Sequence, residues 1–134
     1  MLNSFDLQLT PGNLGQAQGD VATVAGRANL AQAILNRFYT RKGELAQLGH
    51  PDYGSRLYLL MGEPNNQRTR NLAELYIREC LAQESRVAEI IELTFEPPSR
   101  DLSKINVLVV MLRLQPADDP ADLTVQVALN LQGR

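Results

Sequence analysis

The sequence of 134 residues contains no tryptophan, one cysteine and one histidine, and aromatic residues make up only 5% of it. The single cysteine, Cys80, cannot form an internal disulfide, which excludes a disulfide-stapled scaffold. With His50 as the only histidine and no Cys-x-x-Cys motif, the common kinds of metal site are not expected. Gly12, Gly15 and Gly19 fit neither a P-loop nor the dinucleotide-binding fingerprint. The sequence therefore predicts no cofactor.

An excess of one charge and a long apolar run are also lacking. The net charge of −2 argues against binding of nucleic acid through bulk positive charge. The longest apolar run covers residues 107–112, far short of the ~20 residues that a membrane-spanning helix needs. Residues 1–6 have neither the basic region nor the apolar stretch of a signal peptide. We expect a protein made in the cytoplasm, with no membrane segment and no nucleic-acid partner.

The pattern along the chain predicts one domain of the α+β class. Residues 1–26 are rich in turn residues and predict an N-terminal arm or small hairpin, and residues 27–134 form the main domain. Apolar residues at helical spacing predict three helices, around residues 30–38, around residues 57–61 and from about residue 65 to residue 83. After residue 86 the apolar residues alternate with a period of two, which predicts strands. This order, helices followed by strands, predicts three helices packed on an antiparallel β-meander of about three strands.

The buried faces of these elements can also be predicted. The first helix places Leu30, Ile34, Leu35 and Phe38 on one face. The last helix starts at Asn65 or Asn66, both good N-caps. Its apolar stripe is Leu72, Leu75, Tyr76 and Cys80, with Leu81 as a further candidate. The first strand of the meander places Val87, Ile91, Leu93 and Phe95 on one face. Residues 105–114 are apolar on both faces, which predicts a central strand.

The last strand alternates cleanly, with Leu123, Val125, Val127 and Leu129 on one face. It contains no charged residue and no proline, so it lacks the devices that protect the edge of a sheet. Two interpretations remain open. Either the strand lies inside the sheet, or it pairs with a strand of another chain by β-augmentation.

No set of residues indicates catalysis. His50 precedes a proline in a loop and is expected to be structural or solvated, and Cys80 is expected to be a small core residue rather than a nucleophile. A glycosidase needs two positioned carboxyl groups, but the spacing of Glu44, Asp52 and Glu63 indicates no shared cleft. We therefore predict that the protein is not an enzyme.

Three blocks of sequence, residues 29–37, 40–45 and 50–55, carry a resemblance to a known family. Its most specific residues are Thr40, Lys42, Gly43, Pro51, Tyr53 and Gly54. In this order, followed by a helix and then a sheet, they resemble the baseplate wedge family of contractile tails. That family includes the T-even phage gene-25 product, phage protein W and the type VI secretion subunit TssE. The sequence of residues 49–55 is more similar to the phage and extracellular injection-system versions of the family than to TssE.

The family also has a Glu-Pro-Arg motif between its last helix and first long strand, where this sequence reads Glu84-Ser85-Arg86. The resemblance implies that Glu84 and Arg86 form the wedge interface, by holding the corner or by charge-assisted hydrogen bonds to a neighbouring subunit. The alternative is a surface ion pair that contributes ~0–1 kcal/mol. Ser85 stands where the family has proline.

The function that the resemblance implies is structural. Six copies of the chain would sit in the baseplate, each with a sheet resembling the C-terminal domain of the sheath protein. Strands from the first sheath ring would add to this sheet, and sheath assembly would start there. The implied partners are other wedge subunits and the sheath protein, with tube or spike-hub proteins as further contacts. The chain would be assembled in the cytoplasm into a phage tail or a released injection particle. The alternative, from a label given to the family, is a lysozyme-like peptidoglycan hydrolase.

Overall fold

The computed structural model describes residues 5–9, 21–97, 99–102 and 104–132 of the chain. In chain order its helices and strands are β1 (Phe5–Leu9), α1 (Val21–Tyr39), α2 (Gln67–Leu81), β2 (Val87–Phe95), β3 (Val107–Pro116) and β4 (Leu123–Asn130). Two short 3₁₀ turns, Ala46–Leu48 and Leu57–Leu60, lie between α1 and α2. The predicted α+β class is confirmed.

The sheet contains the predicted antiparallel meander and one further strand. Its order is β1-β4-β3-β2, and every neighbouring pair is antiparallel. The meander consists of β2, β3 and β4, which are consecutive in the chain. The fourth strand, β1, comes from the N-terminal arm and pairs with β4 on the side away from β3. The predicted division between arm and domain is not tested by this arrangement, and it stays a prediction.

One face of the sheet forms the core with the helices. β4 alternates as predicted, because Leu123, Val125, Val127 and Leu129 are all buried. In register with them, β3 presents the buried residues Leu114, Leu112, Val110 and Leu108. The apolar stripe of α1 is confirmed, with Leu30, Ile34, Leu35 and Phe38 buried. Burial of this apolar surface is the main favourable term in folding.

The prediction of three helices is wrong, because the described residues contain two α-helices. The middle segment is the 3₁₀ turn Leu57–Leu60, in which Leu57 and Leu60 are both buried. A 3₁₀ turn brings residues i and i+3 to the same side, so a spacing of three is sufficient to bury this pair. Gly62, whose φ is 89°, follows closely and leaves no room for a longer helix.

The first helix starts at Val21, six residues before the predicted start of the domain. Gly26, which we interpreted as part of the turn-rich arm, lies inside α1. An added Cβ at Gly26 would meet no atom within 4 Å. The glycine is therefore tolerated in the helix, at a cost of about 1 kcal/mol relative to alanine.

The predicted stripe of α2 is partly wrong. Its fully buried residues are Thr69, Ala73, Ile77, Cys80 and Leu81. Leu72 and Tyr76 lie at the border of the core, and Leu75 is 59% exposed. The buried face follows Thr69, Ala73, Ile77 and Cys80, and the predicted stripe left out the first three of these residues.

The predicted inner face of β2 is also partly wrong. Register shifts between Val87 and Glu89 and between Ile90 and Glu92 mark two irregularities in its pairing with β3. They turn Ile90 toward the core and leave Ile91 exposed. A β-bulge interrupts the period of two, so strict alternation from Val87 cannot find the inner residues. The central strand β3 also starts and ends two residues later than predicted.

Candidate functional site

The corner between α2 and β2 contains a buried carboxylate held by two arginines. Glu84 is 4% exposed, and its Oε1 accepts a hydrogen bond from Nε of Arg37 at 2.9 Å. Nε of Arg86 donates to Oε2 of Glu84 at 2.8 Å, and the backbone N–H of Arg86 donates to the same oxygen at 3.2 Å. The Arg86 side chain is 54% exposed. The predicted pair Glu84 and Arg86 is thus in contact, and one of its members reaches the surface.

The electrostatics of the corner favour the ionised carboxylate. Burial alone would raise the pKa of Glu84, but the hydrogen bonds from Arg86 and Arg37 more than compensate and lower it to about 2. The same carboxylate raises the pKa of Arg86 through its hydrogen bond. Glu84 is therefore ionised at neutral pH.

Arg37 connects this corner to the Pro-Asp-Tyr-Gly block. Its guanidinium carbon lies 4.6 Å from the ring centroid of Tyr53, within cation–π range. We call Arg37, Tyr53, Glu84 and Arg86 the corner cluster. Two sequence motifs that are about 30 residues apart thus meet through one arginine of α1.

The two turn motifs of the resemblance pair with each other. The backbone N–H of Ser55 donates to the carbonyl of Thr40 at 2.9 Å, and that of Lys42 donates to the carbonyl of Ser55 at 3.0 Å. Gly54 has a φ of 109°, and a Cβ there would lie 2.5 Å from the carbonyl oxygen of Thr40. The close approach of these backbones therefore requires glycine at position 54.

The other predicted turn residues lie around this contact. Gly43 has a φ of 90°, which favours glycine, and Pro51 is exposed. Nζ of Lys42 lies 3.8 Å from Glu79 of α2. These residues shape the loop between the helices, and their positions assign them no chemistry of their own.

The structure places β4 inside the sheet, which is the first of the two interpretations from the sequence. β3 pairs with one side of β4 along its whole length, from Leu123 to Asn130. β1 pairs with the other side over residues 125–129. The four predicted docking residues, Leu123, Val125, Val127 and Leu129, are therefore core residues of this sheet.

Comparison with known proteins identifies the family. A model of the contractile injection system sheath initiator family matches residues 3–112. The chain belongs to this family. The resemblance to the baseplate wedge family is confirmed, and membership in the sheath initiator family gives the chain a structural role in a contractile tail or injection particle.

One solved structure resembles this member of the sheath initiator family. It comes from Geobacter sulfurreducens, is described as a candidate tail lysozyme, and shares 20% sequence identity. The match covers 79% of this chain and 91% of that one, with a TM-score of 0.64. At this identity the likeness shows a common fold. No curated protein matches the sequence.

A second group of charges, missed by the sequence analysis, fixes the loop between β3 and β4. Arg27 of α1 is 3% exposed, and its Nη1 donates to Oδ2 of Asp119 at 2.9 Å and to the carbonyl of Ala121 at 3.1 Å. Its Nη2 donates to the carbonyl of Asp122. We call these four residues the Arg27 cluster. Arg27 precedes Leu30, Ala31 and Ile34 at helical spacing. This position on the apolar stripe is the feature of the sequence that could have indicated its burial.

A cleft of about 460 Å³ lies between the Arg27 cluster and the corner cluster. It is lined by Gly26, Leu30, Arg86, Asp118 and Pro120, among others. In Asp119, which also lines it, the Ala121 N–H and the Arg27 guanidinium lower the pKa. A general acid needs a raised pKa, so Asp119 is unsuited to donate a proton.

The described part of the chain offers little to a metal or a membrane. Within it no group of three or more His, Cys, Asp or Glu residues could hold a metal ion. No described helix is long and apolar enough to cross a membrane. Cys80 is buried, as expected of a core residue, and burial raises the pKa of its thiol to about 12.

Proposed function

We propose that this sheath initiator is a structural baseplate subunit that joins the baseplate to the first sheath ring and starts sheath assembly. The observation that carries the proposal is the family match over most of the chain. A regular strand with no charged residue between Leu123 and Gln132 supports it further. Backbone groups of such a strand can direct the pairing of an incoming strand.

In this proposal the corner cluster faces the other wedge subunits. Arg86 is about half exposed, although two of its side-chain nitrogens are held by Glu84. A guanidinium held in one orientation can donate to a carboxylate or carbonyl of a neighbour with little further ordering. The cleft beside Arg86 gives that neighbour a concave surface to enter.

The edge of β4 faces the sheath protein in the same proposal. Each of six copies around the tube would offer this edge to one sheath subunit, with tube or spike-hub proteins as further contacts. Assembly would take place in the cytoplasm, and the chain would leave the cell within a phage tail or an injection particle. The sheet would then correspond to the C-terminal domain of the sheath protein.

Deletion of the gene from the producing cell, followed by electron microscopy of purified particles, tests the function. We expect baseplates or tubes without sheath, and full recovery with the wild-type gene. Removing residues from Leu123 onward is not a usable test, because β4 is a central strand of the core. Normal sheathed particles from the deletion strain would contradict the proposal.

The alternative function is hydrolysis of peptidoglycan, and the description of the Geobacter structure is the observation in its favour. Two of the three candidate carboxylates, Glu44 and Glu63, have other partners. Glu44 accepts a hydrogen bond from the backbone N–H of Arg41, and Glu63 lies 3.6 Å from Arg68. The cleft that Glu63 lines is otherwise formed by Gly62, Pro64, Asn106, Leu131 and Gln132. Among the described residues no second carboxylate lines it, so the two-carboxylate mechanism has no support from this cleft.

A turbidity assay on purified cell walls separates the two functions. We propose that the chain is not an enzyme and expect no clearing. Clearing by the wild type that disappears in Glu44→Gln, Asp52→Asn or Glu63→Gln would establish the hydrolase instead.

A further inference from the structure

The two sides of the sheet differ in how well they could accept a strand. β2, at one edge, has two irregularities in its pairing with β3. Exposed Glu89 and Glu92 lie on β2, and exposed Glu96 follows it. Bulges and charges are the devices by which proteins block pairing at an edge. The β2 edge is therefore protected against an incoming strand.

The side of β4 that faces away from β3 has none of these protections. β4 pairs with β3 in unbroken register over eight residues, and residues 123–132 contain no charge, proline or glycine. Among the described residues, β1 is the strand that pairs with this side. Its five residues pair with residues 125–129, so Leu123 and Thr124 extend beyond it.

The sequence of β1 has the alternation of apolar and polar residues that this side of β4 requires. Phe5, Leu7 and Leu9 are in register with the buried residues Leu129, Val127 and Val125. Asp6 and Gln8 are in register with Ala128 and Gln126. Successive residues of a strand face opposite sides of a sheet, so this register matches apolar with buried positions.

We infer that β1 and a partner's strand compete for the same side of β4, so that the chain's own N-terminal strand occludes the docking edge until a partner replaces it. The inference rests on the proposed function for the identity of the natural partner. β3 covers the other side of β4 completely, so a strand can be added to β4 only where β1 now lies. Within the described part of the chain β1 belongs to no other strand pair, and its departure leaves the meander β2-β3-β4 intact.

The structure also specifies the chemistry of the partner. It is an extended segment of at least five residues that runs antiparallel to β4. Its apolar residues alternate with polar ones in the register of Phe5, Leu7 and Leu9. A segment shifted by one residue would place polar side chains against the core and is excluded.

The test uses the full chain, as wild type and as variants, and a labelled peptide with the sequence of residues 4–10. The double variant Asp6→Cys and Ala128→Cys locks β1, because opposite residues of an antiparallel pair have Cα atoms about 4.5–5.5 Å apart, within disulfide range. The variant Leu7→Asp loosens β1. Each single cysteine variant is the matched control for the lock, and a peptide with Phe5 and Asp6 exchanged is the control for register.

We expect the peptide to bind Leu7→Asp at least tenfold more tightly than the wild type. We expect no binding to the oxidised double variant and recovery after reduction. The single cysteine variants bind as the wild type does, and circular dichroism verifies that all forms remain folded. Equal binding to the oxidised and reduced double variant would overturn the inference, since the peptide would then use another edge.

Sheath assembly with the same variants distinguishes this inference from the proposed function. If the oxidised lock blocks both peptide binding and sheath assembly, both are supported. If it blocks peptide binding and leaves sheath assembly unchanged, the competition for β4 is real and sheath docking on β4 is overturned.

Discussion

The two charge clusters on α1 contain the same kind of residue but are built in different ways. Arg27 and Arg37 lie ten positions apart on this helix. The Arg27 cluster is closed, because both terminal nitrogens of the Arg27 guanidinium donate to Asp119 and to two backbone carbonyls of one loop. The corner cluster is open. Its Glu84 accepts hydrogen bonds from both Arg37 and Arg86, and the Arg86 side chain is 54% exposed.

This contrast separates residues that stabilise the fold from residues that can bind other molecules. A buried arginine whose partners are all internal can act on other molecules only through the fold. An arginine that is half exposed, and whose orientation is fixed from within, can act directly. The predictions below test this division.

The largest expected effect is the loss of Arg27. In Arg27→Ala the carboxylate of Asp119 and two carbonyls lose a buried partner, and we expect the free energy of unfolding to fall by about 3–5 kcal/mol. Urea denaturation measures it. Arg68→Ala is the control, since Arg68 is 74% exposed and its ion pair with Glu63 should contribute less than about 1 kcal/mol. Equal effects of the two substitutions would show that the Arg27 cluster is not closed.

The second prediction concerns the pH dependence that Glu84 imposes. Its pKa is about 2 in the folded chain against an ordinary value of 4.5, so the carboxylate stabilises the fold above pH 4.5. This contribution, of about 3 kcal/mol, is lost as the pH falls from 4.5 toward 2. The free energy of unfolding should therefore fall more steeply in the wild type than in Glu84→Gln. A constant difference between the two from pH 6 to pH 2 would contradict the assignment.

The third prediction separates stability from assembly at Arg86. Because Arg37 still holds Glu84 in Arg86→Gln, we expect the free energy of unfolding to fall by about 1 kcal/mol or less. We expect few sheathed particles from this variant, with partial recovery in Arg86→Lys, which keeps the charge and loses the planar fork. Counting particles by electron microscopy alongside urea denaturation gives both values. Normal particles from Arg86→Gln would leave the corner cluster with a role in the fold alone.

The smallest expected effect is at Ser85. The backbone N–H of Val87 donates to the carbonyl of Glu84 at 3.1 Å, which closes a turn with Ser85 at its second position. Proline is favoured at that position of common turns, and the resemblance places a proline there. We expect Ser85→Pro to raise the free energy of unfolding by about 0.4–1 kcal/mol and Ser85→Ala to leave it unchanged. Thermal unfolding measures both, and a lower Tm in Ser85→Pro would contradict the turn assignment.

Local patterns in the sequence predicted the parts of the fold that local rules decide. The alternation of β4 and the stripe of α1 are confirmed. The side chain of Asn66 accepts the N–H of Thr69, as expected of an N-cap. Glu74 and Arg78 of α2, whose spacing of four favours an ion pair on a helix, lie 3.0 Å apart.

The parts that the sequence did not predict depend on contacts between distant residues. The irregularities of β2 are set by its pairing with β3, and they exposed Ile91 against the expected alternation. Arg27 is buried only because a loop about 90 residues later supplies its acceptors. At the candidate site, the sequence named Glu84 and Arg86 but could not show that Arg37 joins them to Tyr53.

The pairing of β1 with β4 has a consequence for the order of folding. Phe5 lies opposite Leu129, a separation of 124 positions in the chain. β1 therefore cannot take its place in the sheet until β4 has been made. Contacts over such long separations form slowly, because the entropy of closing the loop is lost before they are gained. The four-stranded sheet is therefore completed only when residues 5–9 close on residues 125–129.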